Sequence, residues 1–108
     1  MGQDQPTFST HILDTAAGAP AAGVAIRLWR IGAGEPVAVG GGTTDADGRI
    51  ADLLHGAPLL PGAYRLEFLL DGPFFTRVAL DLRIDDVSRG YHVPLLLAPY
   101  GISSYRGS

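Results

Sequence analysis

The chain has 108 residues, of which 46% are hydrophobic and 18% charged, and this length predicts a single domain, 1–108, with one core. The formal net charge is −3, and the eight basic residues, all Arg, are scattered, so nucleic acid and an anionic membrane are disfavoured as partners. Without Lys or Cys, the chain has no residue for Schiff-base chemistry, disulfides, thiol nucleophiles or thiolate metal sites.

The beginning of the chain is predicted to be a flexible tail at residues 1–7. Residues 1–6 lack the basic and apolar segments of a signal peptide. No apolar run in the sequence approaches the roughly 20 residues that a membrane helix needs. We therefore expect a cytoplasmic protein.

Alternation of apolar and polar residues indicates short strands through most of the chain. It is present at 23–31, 64–70 and 77–84, where every second residue is apolar. Clusters rich in Gly, Pro and Asp separate these segments, and no window has a long 3.6-residue period. The pattern predicts an all-β sandwich of seven to eight antiparallel strands.

The segment 45–48, Asp-Ala-Asp-Gly, begins like a calcium-binding loop. The glutamate that closes such a loop is missing, because Gly56 occupies the twelfth position. The alternative is a tight turn with a positive φ at Gly48, which places Arg49 at the head of the next strand. The histidines and carboxylates lack metal-ligand spacing, so we predict no metal.

The last strand predicted, 91–98, is more apolar than the others. Pro94 cannot donate to a ladder, so it places this strand at an edge or a bulge. Three successive leucines at 95–97 on an edge need a cover, and a second copy of the chain is the simplest one. We therefore predict a homo-oligomer. Two tyrosines in the tail 99–108 indicate a docked C-terminus, since free ends are usually polar.

Three histidines, His11, His55 and His92, are candidates for proton transfer near neutral pH. A lone histidine is more often structural than catalytic, and His55 is interpreted as a loop residue. Arg49 alone is equally consistent with a solvated charge. None of these residues identifies a reaction by itself.

Three segments together carry a more specific pattern. They are Ser-Thr-His-Ile-Leu-Asp-Thr at 9–15, Thr-Asp-Ala-Asp-Gly-Arg at 44–49, and a C-terminal block. That block contains Tyr-His-Val-Pro-Leu-Leu-Leu at 91–97 and ends in Tyr-Arg-Gly-Ser at 105–108. In these segments the chain resembles the 5-hydroxyisourate hydrolase family, the transthyretin-related enzymes of urate breakdown. The closing motif distinguishes this family from the transthyretin hormone carriers, which lack it.

The resemblance implies a transthyretin-like β-sandwich assembled as a homotetramer, with active sites at the dimer–dimer interface. The reaction would be hydrolysis of 5-hydroxyisourate to 2-oxo-4-hydroxy-4-carboxy-5-ureidoimidazoline, without metal or organic cofactor. Members of the family usually carry a short helix after the strand that corresponds to 64–70. The segment 71–76 leaves little room for it, so we expect this helix to be shortened or absent.

The resemblance also implies which residues form the site. The catalytic set is His11, Arg49, His92 and Ser108. Substrate contacts are assigned to His11, Arg49 and Tyr105, and support of the tail to Arg106 and Gly107.

A ring carbonyl that is attacked by water needs a base for the water and a donor for the oxyanion. A neutral His11 or His92 can act as the base, and the sequence does not decide between them. Arg49 would stabilise the oxyanion, and Ser108 would orient the water or the imidazole. A non-catalytic small-ligand carrier and a structural β-sandwich module are the alternative interpretations.

Overall fold

The computed structural model describes residues 5–107, which form two β-sheets around one hydrophobic core. The strands are β1 Phe8–Asp14, β2 Ala19–Pro20, β3 Ala25–Ile31, β4 Val37–Thr43, β5 Arg49–Ile50, β6 Gly62–Leu69, β7 Arg77–Ile84, β8 Tyr91–Ala98 and β9 Gly101–Ser104. The first sheet has the order β2-β1-β8-β9, with β5 also paired to β1, and the second has the order β4-β3-β6-β7. The predicted all-β sandwich is confirmed. Residues 5–107 form nine strands rather than seven to eight, since β2 and β5 are strands of only two residues, and β1 pairs with β8 in parallel rather than antiparallel.

The second sheet follows the alternation in the sequence. In β6, Tyr64, Leu66 and Phe68 are buried in the core, while Arg65 and Glu67 alternate with them on the other face. Glu67 is buried there under its hydrogen bonds from Trp29 and Arg77. In β7 only Ile84 is fully buried, and Leu80 is half-buried. The reason is that β7 is an edge strand and borders a cavity of about 690 Å³ between the two sheets.

The connection between β6 and β7 is a short hairpin loop. The N–H of Leu70 donates to the carbonyl of Thr76 at 2.9 Å, and the N–H of Gly72 donates to Phe75 at 3.3 Å. These bonds close the loop before a helical turn can form, so the predicted loss of the family's helix is confirmed. Within residues 5–107 there is no helix, and hence none that is long and apolar enough to cross a membrane.

Strand β8 does not lie at an edge, and the prediction from Pro94 is wrong on this point. β8 lies inside its sheet, between β1 and β9. The Pro94 carbonyl accepts a hydrogen bond from Ser104 Oγ at 2.8 Å, so its nitrogen also faces β9. The regular β8–β9 ladder covers residues 95–98 of β8, and its last pair next to Pro94 is Leu95↔Ser104. The missing N–H therefore falls where the regular ladder has stopped, and proline is tolerated in an interior strand.

The C-terminal tail continues along β8 beyond this interruption. The N–H of Gly107 donates to the His92 carbonyl at 2.7 Å, and the two residues form an antiparallel bridge. This bridge has the same register as the pair Leu95↔Ser104, since both partners have moved by three residues. The predicted docking of the C-terminus is confirmed as far as Gly107.

The turn before β5 is held by the Asp45 carboxylate. Its Oδ1 accepts hydrogen bonds from the N–H groups of Asp47 at 2.9 Å and Arg49 at 3.0 Å. Gly48 has a φ of 76°, a conformation that favours glycine. The predicted tight turn with a positive φ at Gly48 is confirmed, and it sets the position of Arg49.

Candidate active site

The outer face of the first sheet carries the polar side chains of β1. Phe8, Thr10 and Ile12 are buried in the core, so the alternate residues Ser9 and His11 project from the opposite face. Both are half-buried. The local alternation of the sequence thus places a hydroxyl and an imidazole one above the other on this face.

Strand β1 brings the other candidates to the same face because it pairs with two strands. His11 lies opposite Arg49 of β5 in an antiparallel pair, and Ser9 lies opposite His92 of β8 in a parallel pair. Side chains of paired residues in neighbouring strands project to the same side of the sheet. Three residues of the predicted site, far apart in the sequence, are therefore neighbours.

Two cavities open around these residues. His11 and Arg49 line one of about 450 Å³, together with Leu13, Pro20 and Asp47. His92 and Ser9 line a second of about 300 Å³, whose walls also include Arg89 of the loop before β8 and Arg106 and Gly107 of the tail. The larger cavity between the sheets reaches none of His11, Arg49 and His92. The candidate residues thus lie on the sheet surface.

His92 is held from both sides. Its Nδ1 lies 2.9 Å from Ser9 Oγ, and Gly107 packs against the opposite edge of the ring. A Cβ on Gly107 would lie 2.6 Å from His92 Cδ2, which is too close for any side chain. The glycine of the closing motif is therefore required for the tail to approach the imidazole.

The surroundings of His92 favour the neutral ring. Burial lowers its pKa below the ordinary value of 6.5, and the neighbouring His11 and Arg49 lower it further. The imidazole is consequently unprotonated near pH 7 and can accept a proton from a water molecule.

This shift makes stability depend on pH. The folded chain binds fewer protons at His92 than the unfolded chain does near and below pH 6.5, so the free energy of unfolding falls as the pH is lowered through that value. We expect the His92→Asn variant to lose less of it than the wild type between about pH 7.5 and about pH 5.5. Urea unfolding at one fixed protein concentration measures both, and equal losses would contradict the shift.

The remaining predicted site residues lie apart from His11 and Arg49 in a single chain. Tyr105 is exposed and borders the cavity between the sheets. Arg106 places its guanidinium 4.2 Å from the centre of the Tyr91 ring, a cation–π contact that fixes the tail. Ser108 lies outside the described residues, so its role stays a prediction.

His55 belongs to a turn, as expected. It has a φ of 52°, and its Nε2 lies 2.6 Å from the Gly41 carbonyl. The side chain thus ties the loop after β5 to β4 and is a structural residue.

Ser9 is a contact of His92 that the sequence analysis did not single out. Alternation does place it on the face of His11, which is the available signal. Its partner could not be found this way, because β1 and β8 are separated by most of the chain.

The chain matches a known protein family over almost its whole length. Residues 8–107 match the family model of transthyretin, described as the HIUase/Transthyretin family. The chain belongs to this family. It is 43% identical over 113 residues to a 5-hydroxyisourate hydrolase of Caulobacter vibrioides, an alignment that covers 94% of this chain and 97% of the relative.

Solved structures of the family superpose on the whole sandwich. The 5-hydroxyisourate hydrolase of Klebsiella pneumoniae is 38% identical, with a TM-score of 0.82 over 95% of this chain and 99% of that chain. Sea bream transthyretin in complex with thyroxine is 27% identical, with a TM-score of 0.84 over 93% of each chain. Enzymes and carriers of the family share the fold, so the site residues must separate them.

Proposed function

We propose that this chain hydrolyses 5-hydroxyisourate to 2-oxo-4-hydroxy-4-carboxy-5-ureidoimidazoline in urate degradation. The observation that carries the proposal is the gathering of His11, Arg49 and His92 on one sheet face by the two pairings of β1. The relatives in Caulobacter vibrioides and Klebsiella pneumoniae are named for this activity. The reaction uses water and these side chains, and neither a metal nor an organic cofactor is part of the proposal.

His92 is the proposed general base. Its neutral imidazole takes a proton from water while the water oxygen bonds to a ring carbonyl carbon of the substrate. The tetrahedral intermediate then collapses, the ring C–N bond breaks, and the imidazolium returns the proton to the departing nitrogen. The burial of His92 and the nearby Arg49 guanidinium support this choice over His11, to which we assign contact with the substrate beside Arg49.

Arg49 is the proposed oxyanion donor. Its N–H groups form a planar fork that matches a carbonyl oxygen as negative charge develops there. We expect Arg49→Ala to lower kcat by about 10²–10³-fold, the usual cost of removing one such donor. Arg65→Ala is the matched control, because Arg65 pairs with Asp81 on the other sheet. Near-wild-type turnover of the Arg49 variant would contradict its role.

The proposed enzyme is a homotetramer with its sites at the dimer–dimer interface. Leu13 and Leu96 are half-buried on the same outer sheet face as His11, so this face offers apolar as well as polar contacts to a second copy. A facing subunit would enclose the cavities at His11 and His92 and exclude water from them. Sedimentation velocity at micromolar concentration tests the assembly, and a monomer would contradict it. The cytoplasmic location stays a prediction.

A carrier of small ligands is the alternative function within this family. It is disfavoured because an apolar ligand channel has no use for two imidazoles and a guanidinium on one face. Tyr-Arg-Gly-Ser at 105–108 also has no role in a carrier.

One assay separates the two functions. Urate oxidase generates 5-hydroxyisourate in situ, and its ultraviolet absorbance is followed with and without this protein. An enzyme accelerates the decay in proportion to its concentration, whereas a carrier changes it at most stoichiometrically. Decay at the spontaneous rate would overturn the proposed function.

A further inference from the structure

We propose that Ser9 is a positioning residue that fixes the tautomer of His92, with the ring proton on Nδ1 and the lone pair on Nε2. This inference rests on the proposed function of His92 as the base. In the neutral imidazole one nitrogen is a donor and the other an acceptor, and only the acceptor can take a proton from water. The residue that binds Nδ1 therefore decides which nitrogen does the chemistry.

The contact between the two residues is built into the sheet. Ser9 and His92 lie opposite each other in the parallel ladder of β1 and β8, which runs from Phe8↔Tyr91 to Asp14↔Leu97. Ser9 Oγ lies 2.9 Å from Nδ1, within the range of a good hydrogen bond. Since both backbones are held in the ladder, the hydroxyl is presented to the ring without a loop having to order.

We assign the direction of this bond from the second contact of the hydroxyl. Ser9 Oγ also lies 3.4 Å from the carbonyl oxygen of Tyr91, which can only accept. If the hydroxyl proton points to that carbonyl, an oxygen lone pair is left for Nδ1, and Nδ1 must be the donor. Nε2 is then the free acceptor.

Gly107 helps to fix the orientation of the His92 ring. Its backbone lies against the Cδ2 edge of His92, while Ser9 binds the Nδ1 edge. A half-turn of the ring about the Cβ–Cγ bond would exchange these two edges and put a carbon opposite the hydroxyl. The tail and the hydroxyl thus select the same ring orientation.

A hydroxyl suits this site better than the carboxylate that often orients a histidine. A carboxylate beside the ring would stabilise the imidazolium and raise its pKa, which opposes base catalysis near neutral pH. The titratable groups near His92 are basic: His11 on β1, Arg49 on β5, and Arg89 and Arg106 along the cavity that His92 lines. Within residues 5–107, the ring nitrogens of His92 have Ser9 as their hydrogen-bond partner. Ser9 orients the ring and adds no charge.

The first test is a set of Ser9 variants assayed with 5-hydroxyisourate. We expect Ser9→Ala to lower kcat about tenfold with KM nearly unchanged, because one hydrogen bond that orients the base is lost. Ser9→Thr keeps the hydroxyl and should retain kcat within about twofold. Ser88→Ala is the control, since it loses a hydroxyl bond of 2.6 Å to Asp86 that does not involve the ring. Wild-type kcat in Ser9→Ala would overturn the proposal.

The second test reads the tautomer directly. A hydroxyl that accepts from Nδ1–H stabilises the imidazolium more than the neutral ring, so Ser9→Ala should move the acid limb of kcat/KM to lower pH. A limb moved to higher pH would mean that Ser9 donates to Nδ1, and would overturn the proposal. Long-range ¹H–¹⁵N NMR of wild-type His92 above its pKa should show a protonated Nδ1, and a protonated Nε2 would equally overturn it.

The NMR experiment needs no substrate, so the two proposals can fail separately. A protonated Nδ1 that depends on Ser9, in a protein that does not hydrolyse 5-hydroxyisourate, would leave the tautomer assignment standing and overturn the function. An active wild type whose His92 tautomer is the same in Ser9→Ala would overturn the role of Ser9 and leave the proposed function standing.

Discussion

The His92→Asn variant is expected to lower kcat for 5-hydroxyisourate by about 10²–10⁴-fold, the range typical of a lost general base. Asparagine retains a polar group of similar reach but cannot accept a proton at neutral pH. Burial keeps the wild-type imidazole neutral and able to accept a proton. An amide has no basic nitrogen, so the attacking water is left without a base. Initial rates at saturating substrate, corrected for spontaneous decay, give the ratio.

His55→Asn is the matched control for this result. It makes the same chemical change in a turn where His55 bonds the Gly41 carbonyl. Its positive φ is one that asparagine tolerates, and we expect kcat within about twofold of wild type. Turnover by His92→Asn close to that of the control would remove His92 from the base role. Sedimentation of both variants verifies that the assembly is unchanged.

Deletion of residues 106–108 is expected to reduce the rate to that of spontaneous decay. The deletion removes the Gly107 bond to the His92 backbone and the Arg106 contact with Tyr91. It also removes Ser108, whose predicted role is to orient the water. The imidazole would then lose the surface behind its Cδ2 edge, and orientation errors of about 1 Å can cost 10²-fold in rate.

The sandwich itself should survive this deletion. Among the residues that the structure describes, the buried core lies in the strands, in the segment before β6 and at Leu70, and it includes neither Arg106 nor Gly107. Far-ultraviolet circular dichroism and urea unfolding should therefore resemble those of the wild type. Deletion of residues 2–4 removes three residues from the other terminus, outside the family match at 8–107, and should leave activity intact. A tail-deleted protein that still accelerates the decay would refute the requirement for the tail.

The sequence predicted well what depends on neighbouring residues. Alternation identified the buried face of β6, and the Asp-Gly pair identified the turn that positions Arg49. β7 alternates as cleanly but remains half-open, because burial also depends on what covers a strand. The local pattern of apolar residues predicts which face of a strand a side chain points to, but not what covers that face.

What the sequence missed depends on pairing across the chain. Proline at position 94 indicated an edge, yet β8 is interior, between β1 and β9. Proline is tolerated there because the regular ladder with β9 covers residues 95–98 and does not include position 94. Ser9 shares the face of His11, but its opposition to His92 follows from a parallel register that no local period encodes. His11, Arg49 and His92 were assigned through a family resemblance, since each alone has an ordinary structural explanation.

The parallel pairing of β1 with β8 also has a consequence for how the protein is made. Ser9 and His92 are 83 positions apart, so their contact closes a loop that spans most of the 108-residue chain. Contacts of such separation form slowly and late in folding, and a nascent chain must leave the ribosome nearly whole before β8 can dock. The proposed base and the hydroxyl proposed to orient it therefore meet only after β8 has been synthesised. A translation product that stops before β8 can bury parts of its core, but it lacks this pair.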